Sequence, residues 1–370
     1  MLNNKYASGG SLDSMVHGSG KIRVLVVDDS VIVRRLVTRI IEEDSALEVV
    51  GSARNGVVAL EKIEQLKPDV ITMDVEMPEM DGIETLRELR RKHPHVRVIM
   101  FSTLTDHGAS ATIEALLLGA NDYVAKPSND GHLDKTLLSL KNELVPKIKQ
   151  LFANGSKQQA AQRRPKPTAI FPARASRRLP PQAVVIGVST GGPTALAEIM
   201  PVFPADFPLP IFIVQHMPAL FTRLLAERLD SRSSIRVCEA SEGMQAAPGL
   251  AIVAAGDYHM RIARVKGQVR VALNQESPEN FCRPSVDVLF RSACEVYGGG
   301  VVTVILTGMG QDGLLGSGML KREGSYVIAQ DSSSSVVWGM PGSVVDAGIA
   351  DTVLDLRDIV PEIIKQVRRI

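Results

Sequence analysis

The sequence predicts an α/β protein of two doubly wound parallel sheets in tandem, joined by a flexible linker. Three observations carry this. Short apolar runs alternate with segments of helical period in both halves of the chain. Most of those runs end in a polar or acidic residue and a turn, as strands buried on both faces do when functional groups sit at their C-terminal tips. Between the halves, from Ala153 to Pro181, the composition shifts to Gln, Ala, Arg and Pro without periodicity, which reads as a tether.

Composition narrows the function classes. The chain has 370 residues, 45 % of them apolar, and a formal net charge of +1. That length suits two or three domains, and that charge offers no general attraction to nucleic acid or anionic membrane. Cys238, Cys282 and Cys294 are the only cysteines and have no CxxC spacing. This argues against a disulfide framework or a cysteine zinc site and fits a reducing cytoplasm. No apolar run approaches the ~18 residues of a membrane span, so no membrane insertion is expected. Residues 1–20 are rich in Gly, Ser and Asn and lack the apolar middle of a signal peptide. They are expected to form a disordered leader, with Met15 as a second candidate start.

In the first half, Lys21–Val27 is a predicted strand with Asp28, Asp29 and Ser30 at its tip, followed by a helix over Val31–Glu43. Leu47–Ala53 is a second strand and Val57–Leu66 a second helix. Val70–Met73 is a third strand ending in Asp74, and the turn-rich MPEMDG follows from Met77 to Gly82. A helix over Glu84–Lys92 leads to a fourth strand, Val96–Phe101, which ends in Ser102 and Thr103. Ala109–Leu118 is helical, and Asp122–Val124 is a short fifth strand closed by Ala125, Lys126 and Pro127. Leu138–Phe152 reads as an amphipathic helix closing this unit. If the strands are parallel, Asp28, Asp29, Asp74, Ser102 and Lys126 converge on one edge. Three carboxylates make a hard-oxygen site suited to Mg²⁺ rather than zinc. A lysine and a hydroxyl beside them are what a transferred phosphoryl group needs. Helix capping would account for one such aspartate, but not for polar groups at four matching tips.

In the second half, AVVIGVSTGG from Ala183 to Gly192 is a buried strand running into a glycine pair, with Pro193 suited to the first turn of a helix. Ser189 then lies at a strand tip, facing a helix N-terminus whose free N–H groups can receive developing negative charge. Ala195–Met200 is helical. Ile211–Val214 is a short strand with Gln215 and His216 at its tip, and Met217 and Pro218 lead into a helix to about Leu229. Leu250–Gly256 and His259–Ala272 are expected as strands of a hairpin or meander, and Pro284–Tyr297 as a helix. Val301–Leu306 is a buried strand ending in TGMGQDG, Thr307 to Gly313, before a further helix. Ser325–Ala329 is a strand and Pro361–Ile370 a terminal helix.

Ser189, His216 and Asp312 therefore lie at or just past the tips of three buried strands. A serine hydroxyl becomes a competent nucleophile when a base takes its proton, and a histidine serves as that base when a third group fixes its tautomer. Gly308, Gly310 and Gly313 would let backbone approach a substrate closely. Singly, each of the three also reads as a cap or turn residue; together they favour a Ser/His/Asp site. A rival pattern exists, since Gly187 to Gly191 fits the GxSxG nucleophile elbow. There the acid precedes the base, so His259 would be the base with Asp230 or Asp257 as acid. Asp257 stands only two residues from His259, a poor fit to groups on separate loops. His259 is expected to be structural or to edge the substrate.

Residues from Ile22 to about Lys149 resemble a response-regulator receiver domain. The resemblance rests on VDDS at Val27–Ser30, the acceptor position in MDVEMPEMDG, Ser102 after the fourth strand and YVAKP from Tyr123. It implies a flavodoxin-like fold in which Asp74 accepts a phosphoryl group from a histidine kinase. Asp28, Asp29, Asp74 and the Glu76 backbone carbonyl would hold Mg²⁺. Lys126 would pair with the phosphate, Ser102 would hydrogen-bond it, and Tyr123 would be the aromatic that changes rotamer.

From about Ala183 to the C-terminus the chain resembles the catalytic domain of the bacterial chemotaxis protein-glutamate methylesterases, the CheB family. The matching stretches are IGVSTGGP, VQHMP at Val214–Pro218, FTRLLAERL, RPSVDVLF at Arg283–Phe290 and ILTGMGQDG. The two resemblances imply a leader over 1–20, a receiver over 21–150, a linker over 151–181 and a Rossmann-like methylesterase domain with an added β-hairpin over 182–370. They imply phosphorylation-activated hydrolysis of glutamate γ-methyl esters on methyl-accepting chemoreceptors, and deamidation of glutamines by the same attack. Ser189 is then the nucleophile, His216 the base and Asp312 its orienter. Backbone N–H groups at Thr190 or nearby would hold the oxyanion, with Met309 lining the pocket. The ester reaction would need no cofactor. The partners implied are the chemoreceptor as substrate and a chemotaxis histidine kinase as phosphodonor. The unphosphorylated receiver is expected to cover the strand-tip edge of the second domain.

Overall fold

The computed structural model describes residues 20–103, 105–126, 133–153 and 179–368. The expected leader, save its last residue, and most of the expected linker lie outside these. In the first half each predicted strand forms. The order along the chain is β1 (Ile22–Val27), α1 (Val31–Glu42), β2 (Leu47–Ala53), α2 (Gly56–Leu66), β3 (Val70–Asp74), α3 (Gly82–Lys92), β4 (Arg97–Ser102), α4 (Asp106–Leu117), β5 (Asp122–Ala125) and α5 (Leu133–Leu151). The helices start where side chains can satisfy the first free N–H groups. Ser30 caps α1, Asn55 caps α2, and Asp81 with Glu84 forms a reciprocal capping box on α3. The five strands pair in parallel in the order β2-β1-β3-β4-β5.

The second half opens with β6 (Ala183–Val188), α6 (Gly192–Ile199), β7 (Ile211–Gln215), α7 (Ala219–Asp230), β8 (Arg236–Glu239) and β9 (Leu250–Val253). It continues through β10 (His259–Val265), β11 (Gln268–Asn274), α8 (Val286–Tyr297), β12 (Val301–Ile305) and α9 (Leu314–Arg322). It closes with β13 (Tyr326–Gln330), α10 (Met340–Asp346), β14 (Thr352–Leu354) and α11 (Leu356–Arg368). Seven strands form one parallel sheet in the order β14-β13-β12-β6-β7-β9-β8. Every residue of β6, β7 and β12 is buried, as strands covered by helices on both faces must be.

Several boundaries differ from the sequence reading. The hairpin is β10 with β11 alone, antiparallel from His259↔Asn274 to Val265↔Gln268. Leu250–Val253 instead lies inside the large sheet between β7 and β8, because three of its four apolar residues are buried. Strands β8 and β14 escaped notice because they are short edge strands with polar or half-exposed positions. Helix α11 begins at Leu356 and continues through Pro361. The burial of Leu356, Ile359, Val360 and Ile363 offsets the hydrogen bond that proline cannot make.

Candidate active site

The large sheet reverses its winding at β6, which has β7 on one side and β12 on the other. Clefts in doubly wound sheets open at such a switch point, beyond the carboxyl ends of the strands. Ser189 follows β6 and its N–H donates to Thr307 O at 3.0 Å. His216 follows β7 and its N–H donates to Val188 O at 3.3 Å. Asp312 lies in the loop after β12, just before Gly313, whose φ of +91° starts α9. At Gly308, on the same loop, a Cβ would lie 2.8 Å from Ser189 Cβ, so only glycine lets the loop lie against the hydroxyl-bearing residue.

Asp312 Oδ2 is 2.8 Å from His216 Nε2 and accepts the Val286 N–H at 2.7 Å. Its Oδ1 accepts from Asn280 Nδ2 at 2.8 Å, Ser285 Oγ at 2.9 Å, and the N–H groups of Asp287 and Gly313 at 3.0 Å. Burial alone would raise its pKa, but His216 and these donors hold it down to about 2. Burial would likewise lower the pKa of His216, but Asp312 and the adjacent Cys282 push it up to about 9. Because Nε2 faces Asp312, Nδ1 is the ring atom left to take a proton. Among the described residues no hydrogen bond yet joins it to Ser189 Oγ, and the N–H groups of Thr190 and Gly191 have no partner. A cleft of about 790 Å³ runs over this edge, lined by Ser189, Thr190, His216, Phe281 and Met309 among others. The arrangement can perform acyl transfer: a hydroxyl, a base, an orienting carboxylate and free N–H donors at a helix N-terminus.

The residues that buttress Asp312 were missed from the sequence. Asn280, Ser285 and Asp287 reach it from a turn and from the start of α8. Asp287 is itself a buried carboxyl, raised to about 6 mainly by burial. The RPSVD stretch holds Ser285 and Asp287 and is the sequence signal for those two; Asn280 lies outside it. The rival elbow does not assemble. His259 is buried, accepting the Ser285 N–H on Nδ1 at 3.2 Å and placing Nε2 3.2 Å from Ser277 O. Asp230 is engaged with Val237 N–H and Arg236, and Asp257 with Arg283.

In the first sheet, Asp28, Asp29 and Asp74 place carboxylate oxygens within 4.8 Å of one another. The two buried carboxyls, Asp28 and Asp74, and the exposed Asp29 offer oxygen ligands only, and this oxygen-only set fits a hard divalent cation. Lys126 Nζ lies 2.6 Å from Asp74 Oδ2 and 3.0 Å from Asp28 Oδ2. Burial, aided by the Asp28 charge and opposed by Lys126, raises the Asp74 pKa to about 6. Burial opposes the charge on Lys126, yet its two carboxylate neighbours raise its pKa. The Glu76 N–H is 3.4 Å from Asp74 Oδ1. Ser102 Oγ does not reach toward Asp74 here; it donates to Gly108 O at 3.0 Å and Thr103 O at 3.1 Å.

Tyr123 faces the other sheet unit, stacked on Phe221 of α7 with ring centroids 4.6 Å apart. Helix α4 packs against α6 and α7. Thr194 Oγ1 donates to Leu116 O at 2.7 Å, and Thr190 Oγ1 donates to Asp122 Oδ2 at 2.8 Å. Lys147 Nζ donates to Tyr123 O at 2.6 Å and lies 3.4 Å from Asp122 Oδ1. Leu116, Asp122, Tyr123 and Lys147 thus line the same cleft as Ser189 and His216.

Comparison with known proteins is consistent in both halves. Residues 184–363 match the CheB methylesterase family model and residues 24–138 the response regulator receiver domain model. A protein-glutamate methylesterase/protein-glutamine glutaminase of Trichodesmium erythraeum is 48 % identical over 94 % of this chain and 99 % of its own. One from a Nocardioides species is 46 % identical over 94 % of this chain and 96 % of its own. The crystal structure of the Thermotoga maritima CheB methylesterase catalytic domain is 44 % identical, covering 50 % of this chain and 99 % of its own, with a TM-score of 0.49. No helix among the described residues is long and apolar enough to cross a membrane.

Proposed function

The chain belongs to the CheB-type protein-glutamate methylesterase/protein-glutamine glutaminase family, and from that premise we propose how its own residues carry the reaction. The enzyme hydrolyses protein glutamate methyl esters and deamidates protein glutamines, under a receiver domain. The observation that carries the site assignment is the convergence of Ser189, His216 and Asp312 at the switch point of the large sheet.

Ser189 Oγ attacks the γ-carbonyl of the ester while neutral His216 takes the hydroxyl proton. The N–H groups of Thr190 and Gly191 receive the tetrahedral oxyanion. Its collapse breaks the C–O bond, and methanol leaves with the proton from His216; ammonia leaves in the same way from a glutamine. Water, deprotonated by His216, then attacks the acyl-serine and frees the glutamate and Ser189. Asp312 remains a carboxylate throughout and stabilises the imidazolium formed in each half-reaction. Met309 lines the cleft beside the reacting ester.

The substrate we assign is a methyl-accepting chemoreceptor in the cytoplasm, and the phosphodonor a chemotaxis histidine kinase. The receiver spans 21–150, the linker 151–181 and the catalytic domain 182–370. Asp74 accepts the phosphoryl group. Asp28, Asp29, Asp74 and the Glu76 carbonyl would hold Mg²⁺, which supplies charge neutralisation for phosphoryl transfer when bound. Lys126 pairs with the phosphate, and Ser102 turns from Gly108 O toward it. Tyr123 leaves Phe221 when the receiver changes state, which uncovers the cleft. The contacts of Asp122 and Tyr123 with the catalytic edge support this reading. The test is methanol release from methylated receptor membranes, with and without a small phosphodonor and Mg²⁺. Release should rise with the phosphodonor and vanish in Ser189→Ala; release that persists in Ser189→Ala would reject the nucleophile.

A further inference from the structure

The mouth of the catalytic cleft carries a side chain that hydrolysis does not use. Glu279, Asn280, Phe281 and Cys282 form a tight turn closed by two backbone hydrogen bonds. Glu279 N–H donates to Cys282 O at 3.1 Å and Cys282 N–H to Glu279 O at 2.9 Å. Both central residues are left-handed, with φ of +54° at Asn280 and +63° at Phe281. Asparagine tolerates that conformation, whereas a bulky aromatic in it is an outlier that the surroundings must enforce. Packing of the ring on the core would explain its presence, yet Phe281 is 102 % exposed, more than any other large apolar residue described.

The turn is anchored on every side except that one. Asn280 Nδ2 donates to Asp312 Oδ1 at 2.8 Å and to Asp287 Oδ2 at 3.0 Å. Arg291 holds Glu279 with paired bonds of 2.5 and 2.6 Å. Cys282 lines the same cleft as His216. The inside of the turn is thus fixed to Asp312, which orients the base, and its outside is a bare phenyl at the rim of the cleft. Met309, 37 % exposed, lines the same cleft.

A glutamate side chain is short. For its γ-carbonyl to reach Ser189, the substrate backbone must come to the mouth of the cleft, and the residues flanking the glutamate must cover Phe281 and Met309. We propose that Phe281 is a specificity-determining docking residue, seated on apolar side chains beside the modified glutamate of a folded protein substrate. It raises affinity for protein over small esters and takes no part in the chemistry. The inference rests on the assignment of a protein glutamate ester as substrate. Aromatic anchors of this kind carry a disproportionate share of binding energy at protein contacts.

The test uses the full-length protein with phosphodonor and Mg²⁺ present. Wild type, Phe281→Asn and Phe281→Tyr are compared on methylated receptor membranes and on N-acetylglutamate γ-methyl ester. Asparagine accepts the left-handed backbone, so Phe281→Asn removes the ring and keeps the turn. It should lower kcat/KM on the receptor by roughly tenfold or more, through KM, with the small ester unaffected, and Phe281→Tyr should retain most receptor activity. Unchanged receptor hydrolysis in Phe281→Asn would overturn the proposal. An equal loss on both substrates would also overturn it, since the residue would then serve the triad. Failure of the wild type itself on the receptor, with the small ester still cleaved, would overturn the substrate assignment and the proposal with it.

Discussion

Substituting Asp122 by alanine should raise the activity of the unphosphorylated enzyme. Asp122 Oδ2 accepts from Thr190 Oγ1 at 2.8 Å, and Thr190 follows Ser189, the proposed nucleophile. A partly buried hydrogen bond to a carboxylate contributes about 1.5–3 kcal/mol. At about 1.4 kcal/mol per factor of ten, its loss loosens the seating of the receiver on the catalytic edge by roughly 10- to 100-fold. The Tyr123–Phe221 stack and the Thr194 to Leu116 bond remain, so basal turnover rises toward, but not beyond, the phosphodonor-stimulated rate. Asp122 also accepts the Tyr123 N–H at 2.8 Å and neighbours Lys147. A thermal melt must therefore show that the receiver still folds, for which retained stimulation by phosphodonor is a second control. The assay is methanol release without phosphodonor. A folded Asp122→Ala enzyme with an unchanged basal rate would refute the reasoning, because the contact would then hold nothing closed.

Other outcomes follow from the same geometry. Asp312→Asn keeps the size of the residue but cannot stabilise the imidazolium, and kcat should fall by ~10³- to 10⁴-fold, measured by methanol release with stimulated enzyme. The acidic limb of kcat/KM against pH should lie above the ordinary histidine value, because His216, raised to about 9, must be neutral to accept the serine proton. The sign for stability is the reverse. The His216–Asp312 pair stabilises the fold fully between 3.8 and 6.5, and that contribution is lost as pH rises through about 9 or falls through about 2; thermal melts across pH check this. Chelation of divalent cations should abolish stimulation by phosphodonor, since Asp28, Asp29 and Asp74 would hold the cation that phosphoryl transfer needs, while leaving cleavage of N-acetylglutamate methyl ester at its basal rate.

The sequence by itself determined the two sheets and the residues at their tips. A parallel strand covered on both faces must be apolar throughout, so β1, β3, β6, β7 and β12 stand out as runs, and the polar residue ending each run is visible as a break in that pattern. Asp28, Asp74, Ser189 and His216 were legible for this reason, and Asp312 because its glycine-rich loop follows such a run. Edge strands β8 and β14 obey no such constraint and left no pattern. The tertiary structure alone decided which distant groups meet: Asn280, Ser285 and Asp287 around Asp312, Asp122 on Thr190, Tyr123 on Phe221, and Ser102 turned toward Gly108. It also decided that Leu250–Val253 joins the main sheet and that Phe281 is left bare on a left-handed turn. Burial imprints a local period on a chain. Pairing between segments far apart in sequence is selected by packing and hydrogen-bond satisfaction after the elements have come together, and no short stretch of residues records it.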